Sequence, residues 1–294
     1  MLVLSGGTGT PKLLTGLQEM LKPSDLSVVV NTAEDLWISG NLVSPDVDTV
    51  LYALAGIADQ AKWWGIRGDC FQTHDCLRTL GHFELLSIGD KDRAVHIFRS
   101  ELIRQGYSLS DATSALAAAL KVEQKVVPMT EYPVSTIITT PTGEMHFQDF
   151  WVGQGGAPDV LGVRFHGIDR ATPCPEFVEL LKNEKTVLIG PSNPVTSIGP
   201  ILRLHGVREL LEGKRIIAVS PLVGNRPVGG PAAKFMKALG VPATDEGVAA
   251  ILGHLDLFIV DLQSSYGGEC IRLDTLMRDK ADSMRLAKNI MELI

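Results

Sequence analysis

Apolar residues follow two patterns that alternate along the chain, short unbroken runs and stripes at helical spacing. The first run, MLVL, precedes a glycine-rich turn, and the second, LSVVV, covers residues 26–30. Between the two runs, Leu13, Leu14 and Leu17 recur at the spacing of a helix face. The order strand, helix, strand predicts a parallel sheet that binds ligands at the carboxyl ends of its strands.

The same alternation continues in the second half of the chain. Three runs predict buried strands, namely TVLIG (186–190), RIIAVS (215–220) and LFIVD (257–261). Apolar spacing predicts further helices, which cover residues 45–60, 93–104, 111–120 and 280–293.

From about residue 126 to residue 163 the pattern changes to β-branched and aromatic runs. VSTIITT and MHFQDFW are joined by PTGE, and this combination predicts a hairpin. We therefore expect an α/β fold in which a Rossmann-like parallel sheet is flanked by helices and carries a small inserted β-rich subdomain at about 126–163. Residues 1–294 are expected to form a single domain.

Composition narrows the possible partners. The 294 residues are 45% hydrophobic and 21% charged, which is typical of a compact globular protein. The net charge of -7 argues against a general nucleic-acid binder. No apolar run reaches the ~18 residues of a membrane span, and the beginning of the chain lacks the pattern of a signal peptide. We expect a cytoplasmic protein with neither nucleic acid nor membrane as a partner.

The cysteines suggest no structural cross-link. Cys70, Cys76, Cys174 and Cys270 are too few and too scattered for a disulfide framework. Cys70, His74 and Cys76 match no standard zinc spacing. Reduced thiols are therefore expected.

The glycine turn, LSGGTGTPKLLTGL, is the first candidate for chemistry. A dinucleotide fingerprint would place a glycine at Lys12 and an acidic residue near Asn31, so a nicotinamide oxidoreductase is disfavoured. The stretch also lacks the spacing of a Walker loop. Its glycines at 6, 7 and 9 can nevertheless bring backbone N–H groups to a phosphate at a helix start. The alternative is a tight turn without a ligand.

An acidic stretch follows the second strand. NTAEDLWISGNLVSPDVDTVLY contains Asn31, Glu34, Asp35, Asp46 and Asp48. Residues two apart in a first helical turn point in different directions, so one carboxylate of the SPDVD pair can reach a metal or a hydroxyl while the other orients the loop. The alternative is that both aspartates complement the helix N-terminus.

Two later loops offer further polar groups after strands. GPSNPVTSIGPI contains Ser192 and Asn193, and SPLVGNRPVGGPAAK places Gly229 and Gly230 before Pro231 at a predicted first helical position. Phosphate-holding loops together with acidic residues favour phosphoryl-type transfer assisted by a cation.

We interpret His96, on the helix predicted for 93–104, as structural.

These stretches, with WWGI, GDKDRAVH and MHFQDFWVG, resemble the 2-phospho-L-lactate transferase family of the archaeal type, from residue 1 to about residue 247. The resemblance implies transfer of a phospholactyl group from lactyl-2-diphospho-5'-guanosine to the deazaflavin Fo. GMP would be released and the first phosphodiester form of coenzyme F420, F420-0, would be made. It also implies Mg²⁺ dependence, a homodimer, Fo near Asp48, and the nucleotide in the glycine and GPSNP loops.

On the residues and the resemblance together, we assign Asp46 and Asp48 to catalysis and to Mg²⁺. Asp48 is assigned to the hydroxyl of Fo, with Asn31, Asp35 and Ser87 nearby, and Ser87 stands where the family often has a basic residue. The residues assigned to the nucleotide and its phosphates are Gly6, Gly7, Thr8, Gly9, Thr10, Lys12, Ser192, Asn193, Gly229 and Gly230.

Two questions stay open at the level of sequence. Proteins related by the same GGTG turn act as nucleotide-sugar-binding regulators, but they carry a DDGGSSGRLR-like segment where this chain has NTAEDLWISGN. A regulator of that kind is the alternative function. The residues also do not distinguish a donor that carries lactate from one that carries enolpyruvate.

Overall fold

A seven-stranded sheet lies at the centre of the molecule. The computed structural model describes residues 1–224, 226–227 and 231–294 of the chain. The strands are β1 (Leu2–Ser5), β2 (Ser27–Val30), β3 (Leu36–Ile38), β4 (Asn41–Val43), β5 (Lys125–Pro128), β6 (Ser135–Thr140), β7 (Gly143–His146), β8 (Gly162–His166), β9 (Thr186–Ile189), β10 (Arg215–Val219), β11 (Leu222–Val223), β12 (Arg226–Pro227), β13 (Leu257–Asp261) and β14 (Ile271–Leu273). The helices are α1 (Gly9–Leu17), α2 (Pro45–Leu54), α3 (Gln72–Thr79), α4 (Asp90–Arg104), α5 (Leu109–Ala119), α6 (Pro175–Asn183), α7 (Ile198–Arg203), α8 (Val207–Leu211), α9 (Ala232–Ala238), α10 (Asp245–Leu252) and α11 (Lys280–Met291).

The strand order of the central sheet is β14-β13-β10-β9-β1-β2-β5, and every neighbouring pair is parallel. From β1 the chain moves outward through β2 to β5, and later returns to β9 on the other side of β1. The order therefore reverses between β1 and β9, and such a switch point opens a crevice at the carboxyl ends of the two strands. The predicted Rossmann-like α/β fold is confirmed.

Each face of the sheet has its own apolar core, because alternate strand residues point to opposite faces. Leu4 of β1 belongs to the cluster that contains Phe177 of α6. Val3 belongs to the other cluster, together with Leu14 of α1 and Val50 of α2. The two layers fix α1 and α2 against the sheet, and these helices begin at its carboxyl edge.

The β-rich segment forms a three-stranded antiparallel sheet in the order β7-β6-β8. The PTGE hairpin is present, with Thr140 paired to Gly143. Its second strand ends at His146, because Asp149–Gly153 forms a π-helical turn instead of continuing the predicted MHFQDFW strand. The segment also begins later than predicted, since Lys125–Pro128 pairs with β2 as the edge strand of the central sheet.

Helix ends differ from the predicted ones for local reasons. α2 ends at Leu54 rather than near residue 60, and Gly56, with φ of +70°, supplies the left-handed residue that commonly terminates a helix. α4 begins at Asp90, three residues earlier than predicted. Pro231 precedes α9 rather than occupying its first turn.

The hairpin of β3 and β4, the helix α3 and the strand β14 were not predicted.

Two expectations about the whole chain can be compared with the fold. All four cysteines are free thiols. Within the described residues, no helix is both long enough and apolar enough to cross a membrane.

Candidate active site

The turns that follow β1 and β9 contact each other at the switch point. The backbone N–H of Gly6 donates a hydrogen bond of 3.2 Å to Ser192 Oγ. The hydroxyls of Thr10 and Ser192 are hydrogen-bonded at 2.7 Å, and both residues are buried. The fold thus brings the first glycine stretch and the GPSNP loop, predicted separately as phosphate-binding, into one place.

Close packing explains why two positions in the first turn are glycine. A Cβ atom on Gly9 would lie 1.8 Å from the carbonyl oxygen of Pro191. A Cβ atom on Gly6 would lie 2.2 Å from the Cβ of Ser197. Both distances are far below contact, so any side chain at these positions would push the two turns apart. Thr8 is exposed at the start of α1.

Asp46 lies against the same glycine turn. A Cβ atom on Gly7 would be 2.7 Å from Asp46 Oδ1, and Asp46 Oδ2 accepts a hydrogen bond of 2.9 Å from the side-chain amide of Asn31. Burial raises the pKa of Asp46 to about 7, although the Asn31 hydrogen bond acts in the opposite direction. A buried carboxylate is therefore placed beside the backbone where a phosphate is expected.

Glu34 adds a second buried carboxyl group. Its side chain is 6% exposed, and burial, together with the charge of Asp46, raises its pKa well above the ordinary value. Among the described residues, no lysine or arginine forms an ion pair with either carboxyl group. Uncompensated buried carboxylates are costly unless they are protonated or bind a cation. Oxygen donors of this kind fit Mg²⁺, which usually takes one or two protein carboxylates.

Asp48 lies in a different environment from Asp46, although it is only two residues away. Its Oδ2 accepts a hydrogen bond of 3.1 Å from Arg99 Nη1 and lies 3.2 Å from His96 Nε2, while Arg99 Nη2 binds Oδ1. Burial alone would raise the pKa of Asp48, but the positive charges of Arg99 and His96 lower it to about 2. Asp48 is therefore a fixed anion whose charge is already compensated.

Asp35 and Asn193 form hydrogen bonds within the loops around the switch point. Asp35 accepts a hydrogen bond of 2.7 Å from Ser44 Oγ, and burial raises its pKa well above the ordinary value. Asn193 uses its side-chain oxygen to bind the N–H of Val195 at 3.0 Å, which shapes its own loop.

Four further assigned residues remain, and the structure describes two of them. The Lys12 ammonium lies 5.1 Å from the centroid of the Trp63 ring, and burial lowers its pKa. Ser87 is exposed, just before α4. Gly229 and Gly230 lie outside the described residues.

Sequence reasoning missed three residues of this site. Glu34 was noted but not assigned, Arg99 was not singled out, and His96 was interpreted as structural only. The available signal was the spacing of Asp92, His96 and Arg99, which places them on one face of α4. That spacing shows a shared face but not which helix the face contacts.

A parallel sheet of Rossmann order, with a glycine turn, a hydroxyl-bearing loop and buried carboxylates at its switch point, is the arrangement in which α/β enzymes commonly bind their ligands. The chain belongs to a transferase family, because the sequence model described as 2-phospho-L-lactate transferase CofD matches residues 1–287. A protein of that name from Methanosarcina acetivorans is 50% identical over 302 residues, covering 100% of this chain and 98% of the relative. Another from Methanopyrus kandleri is 47% identical and covers 99% and 96%.

Solved structures extend the comparison of the fold. The crystal structure of a UPF0052 family protein from Bacillus halodurans matches with a TM-score of 0.65 and covers 99% of both chains. Sequence identity to this protein is 16%, so the likeness concerns the fold alone.

Proposed function

We propose that the protein transfers the 2-phospholactyl group of lactyl-2-diphospho-5'-guanosine to the hydroxyl of the deazaflavin Fo, releasing GMP and forming F420-0. An enolpyruvyl-phosphate group on the same guanosine carrier is the closest variant of this donor. The observation that carries the proposal is the position of Asp46, whose carboxylate touches the glycine turn at Gly7 beside Ser192. Sequence relatives named 2-phospho-L-lactate transferase support the identity of the transferred group.

In the proposed reaction, the hydroxyl oxygen of Fo forms a bond to the phosphorus that carries lactate. The bond from that phosphorus to the bridging oxygen breaks, and GMP leaves with the electron pair. The hydroxyl proton is released to solvent. Displacement at phosphorus leaves little covalent chemistry to the protein, so the enzyme contributes mainly positioning and neutralisation of charge. The glycine turn and the loop with Ser192 are placed to hold the diphosphate.

Asp48 is suited to orient the acceptor rather than to remove its proton. A carboxylate with a pKa of about 2 is a weak base, but it accepts hydrogen bonds well. Oδ1 accepts from Arg99 and keeps a further lone pair, so the hydroxyl of Fo can still donate to it. Asp35 and Ser87 remain assigned to the Fo side, and Asn31 acts through its hydrogen bond to Asp46.

Asp46 and Glu34 are the residues that would hold Mg²⁺, and this differs from the pair Asp46 and Asp48 assigned from the sequence. The reason is that Arg99 already compensates Asp48, whereas no cationic side chain in the described ranges pairs with Glu34 or Asp46. When bound, Mg²⁺ would neutralise charge on the diphosphate of the donor.

The family resemblance further supports a homodimer that works in the cytoplasm.

The proposal is tested by incubating the purified protein with Mg²⁺, Fo and one guanosine donor at a time, either the lactyl or the enolpyruvyl form, and separating the products by chromatography and mass spectrometry. We expect F420-0, or its enolpyruvyl counterpart, and GMP in equal amounts. Absence of any Fo-derived product with both donors would overturn the transferase proposal. Tight binding of a nucleotide sugar in that case would favour the regulatory alternative.

A further inference from the structure

Helix α4 presents a row of buried polar side chains to helix α2. Asp92, His96 and Arg99 share one face of α4, and Asp48 and Tyr52 are one turn apart on α2. Their exposed fractions range from 0% for Arg99 to 9% for Asp92. Five polar residues therefore lie between two helices, where apolar packing is usual. We call this set the α2–α4 network.

The contacts of the network run without a gap from one end to the other. Arg99 binds both carboxylate oxygens of Asp48. His96 Nε2 lies 3.2 Å from Asp48 Oδ2 and 3.1 Å from Asp92 Oδ1. Tyr52 donates a hydrogen bond of 2.6 Å to the same oxygen of Asp92. Two carboxylates are thus matched by one guanidinium and one imidazole, which limits the cost of burying them.

The position of α4 is itself fixed at two points. Near its beginning, the Asp69 carboxylate accepts the backbone N–H groups of Lys91 at 2.9 Å and Asp92 at 3.0 Å. Near its end, Arg99 Nη1 donates to the carbonyl of Leu42 at 3.3 Å, and Ser100 Oγ accepts the N–H of Leu42 at 2.7 Å. Rotation or sliding of α4 would break bonds at both points. The guanidinium of Arg99 is therefore held between the Asp48 carboxylate and the carbonyl of Leu42.

We propose that Arg99 and His96 are positioning residues that hold the Asp48 carboxylate in the single orientation in which it accepts the hydroxyl of the acceptor. This inference rests on the proposed function, because it assumes that Asp48 contacts Fo. Arg99 binds one lone pair on each oxygen and prevents rotation of the carboxylate about χ2. His96 restricts Oδ2 further, so the free lone pair on Oδ1 is the one left for the substrate. A misplacement of about 1 Å at such a group can cost about 10²-fold in rate.

The first test compares Arg99→Lys with Arg93→Lys. Arg93 is a matched control, because it is a buried arginine on the same helix that binds both oxygens of Glu84, at 2.9 and 2.6 Å. Arg99→Lys is expected to lower kcat about 10²-fold and to leave the KM of the guanosine donor within about twofold. Arg93→Lys is expected to lower Tm without changing kcat by more than about twofold. Equal kcat in the two variants would overturn the inference.

The second test is a double-mutant cycle between His96→Gln and Asp48→Asn. If His96 acts through Asp48, His96→Gln lowers kcat in the wild-type background and has little further effect in the Asp48→Asn background. If His96→Gln lowers kcat by the same factor in both backgrounds, His96 does not act through Asp48, and a positioning role is contradicted. Far-UV circular dichroism of every variant shows whether it is folded, and the Arg99 and Arg93 comparison stands even if the double variant is not.

Binding of Fo, followed by its fluorescence, distinguishes failure of this inference from failure of the proposed function. A wild-type protein that binds Fo but makes no product would contradict the proposed reaction. The positioning role would then be tested by the Kd of Fo. Arg99→Lys should raise this Kd at least about tenfold, whereas Arg93→Lys should leave it unchanged. Equal Kd values in both variants, or no binding of Fo by the wild type, would overturn it.

Discussion

The carboxylate of Asp46 lies so close to Gly7 that a Cβ atom on this glycine would be 2.7 Å from Oδ1. Gly7 belongs to the turn after β1, and Asp46 belongs to the first turn of α2, after β2. The contact therefore joins the expected phosphate site to the expected metal site. Asn31, at the end of β2, holds the other oxygen of Asp46 in place.

Two glycine variants should separate a functional contact from a packing contact. In Gly7→Ala the new methyl group meets only the tip of Asp46, so we expect a raised KM for the donor and a nearly unchanged Tm. In Gly9→Ala the methyl group meets the Pro191 backbone, and overpacking should cost about 1–3 kcal/mol of stability. Gly267→Ala, with open space at its Cβ position, is the control for both. Identical KM values for Gly7→Ala and Gly267→Ala would show that the contact with Asp46 has no role in binding the donor.

Asp46 and Asp48 should respond differently to substitution by asparagine. Asp48→Asn leaves Arg99 without its anion, so a large loss of stability, about 3–5 kcal/mol, should accompany a fall in kcat of about 10²-fold. The alternative weighed from the sequence, in which Asp48 only complements the helix N-terminus, would be worth ~0.3–1 kcal/mol and would leave kcat unchanged. Steady-state rates measured well below the Tm of the variant test this expectation. Near wild-type kcat in Asp48→Asn would show that Asp48 is structural.

Asp46→Asn and Glu34→Gln should instead change the response to the metal. Removing one of two buried carboxylates takes away an oxygen ligand and part of the charge that attracts a cation. We expect a higher Mg²⁺ concentration at half-maximal rate in both variants. Binding of Mn²⁺ followed by electron paramagnetic resonance provides a readout that does not depend on activity. Unchanged Mn²⁺ binding in both variants would remove these residues from the metal site.

Glu84 gives a prediction about pH and stability. Its side chain is fully buried, and although burial alone would raise its pKa, Arg93, Ser39 and His74 lower it from 4.5 to about 2. Because the folded pKa is lower, the folded state binds fewer protons than the unfolded state between these values. The stabilisation is therefore complete above pH 4.5 and is lost as the pH falls towards 2. The Tm difference between the wild type and Glu84→Gln should shrink over this range, and a constant difference would contradict the assignment.

The sequence predicted five of the seven strands of the central sheet, because these strands are buried and therefore appear as unbroken apolar runs, such as residues 26–30. The edge strand β14 was not predicted, and the other edge strand, β5, was expected in the inserted segment. The hairpin of β3 and β4 was not predicted, since it lies within the polar stretch taken as a loop. Its turn, Ser39 and Gly40, has φ values of +48° and +76°, which is typical of a tight two-residue hairpin turn.

The site was predictable only in part. Residues that directly follow β1, β2 and β9 were identified, because the carboxyl edge of a parallel sheet brings them together. Arg99 was not, since it lies 51 positions after Asp48 on another helix. The side of α4 that faces α2 depends on how both helices pack and on the hydrogen bonds from the beginning of α4 to the Asp69 carboxylate. The helical spacing of residues within α4 contains no information about these contacts.

The central claim is that the phosphorus bearing the lactyl group moves to Fo while the guanosine leaves as GMP. It is tested most directly with a donor that carries one radioisotope in the lactyl-bearing phosphorus and a second label in guanosine, incubated with the protein, Mg²⁺ and Fo. The account predicts the phosphorus label in the deazaflavin product and the guanosine label only in GMP. Free labelled phospholactate with unchanged Fo, or guanosine label attached to Fo, would contradict it.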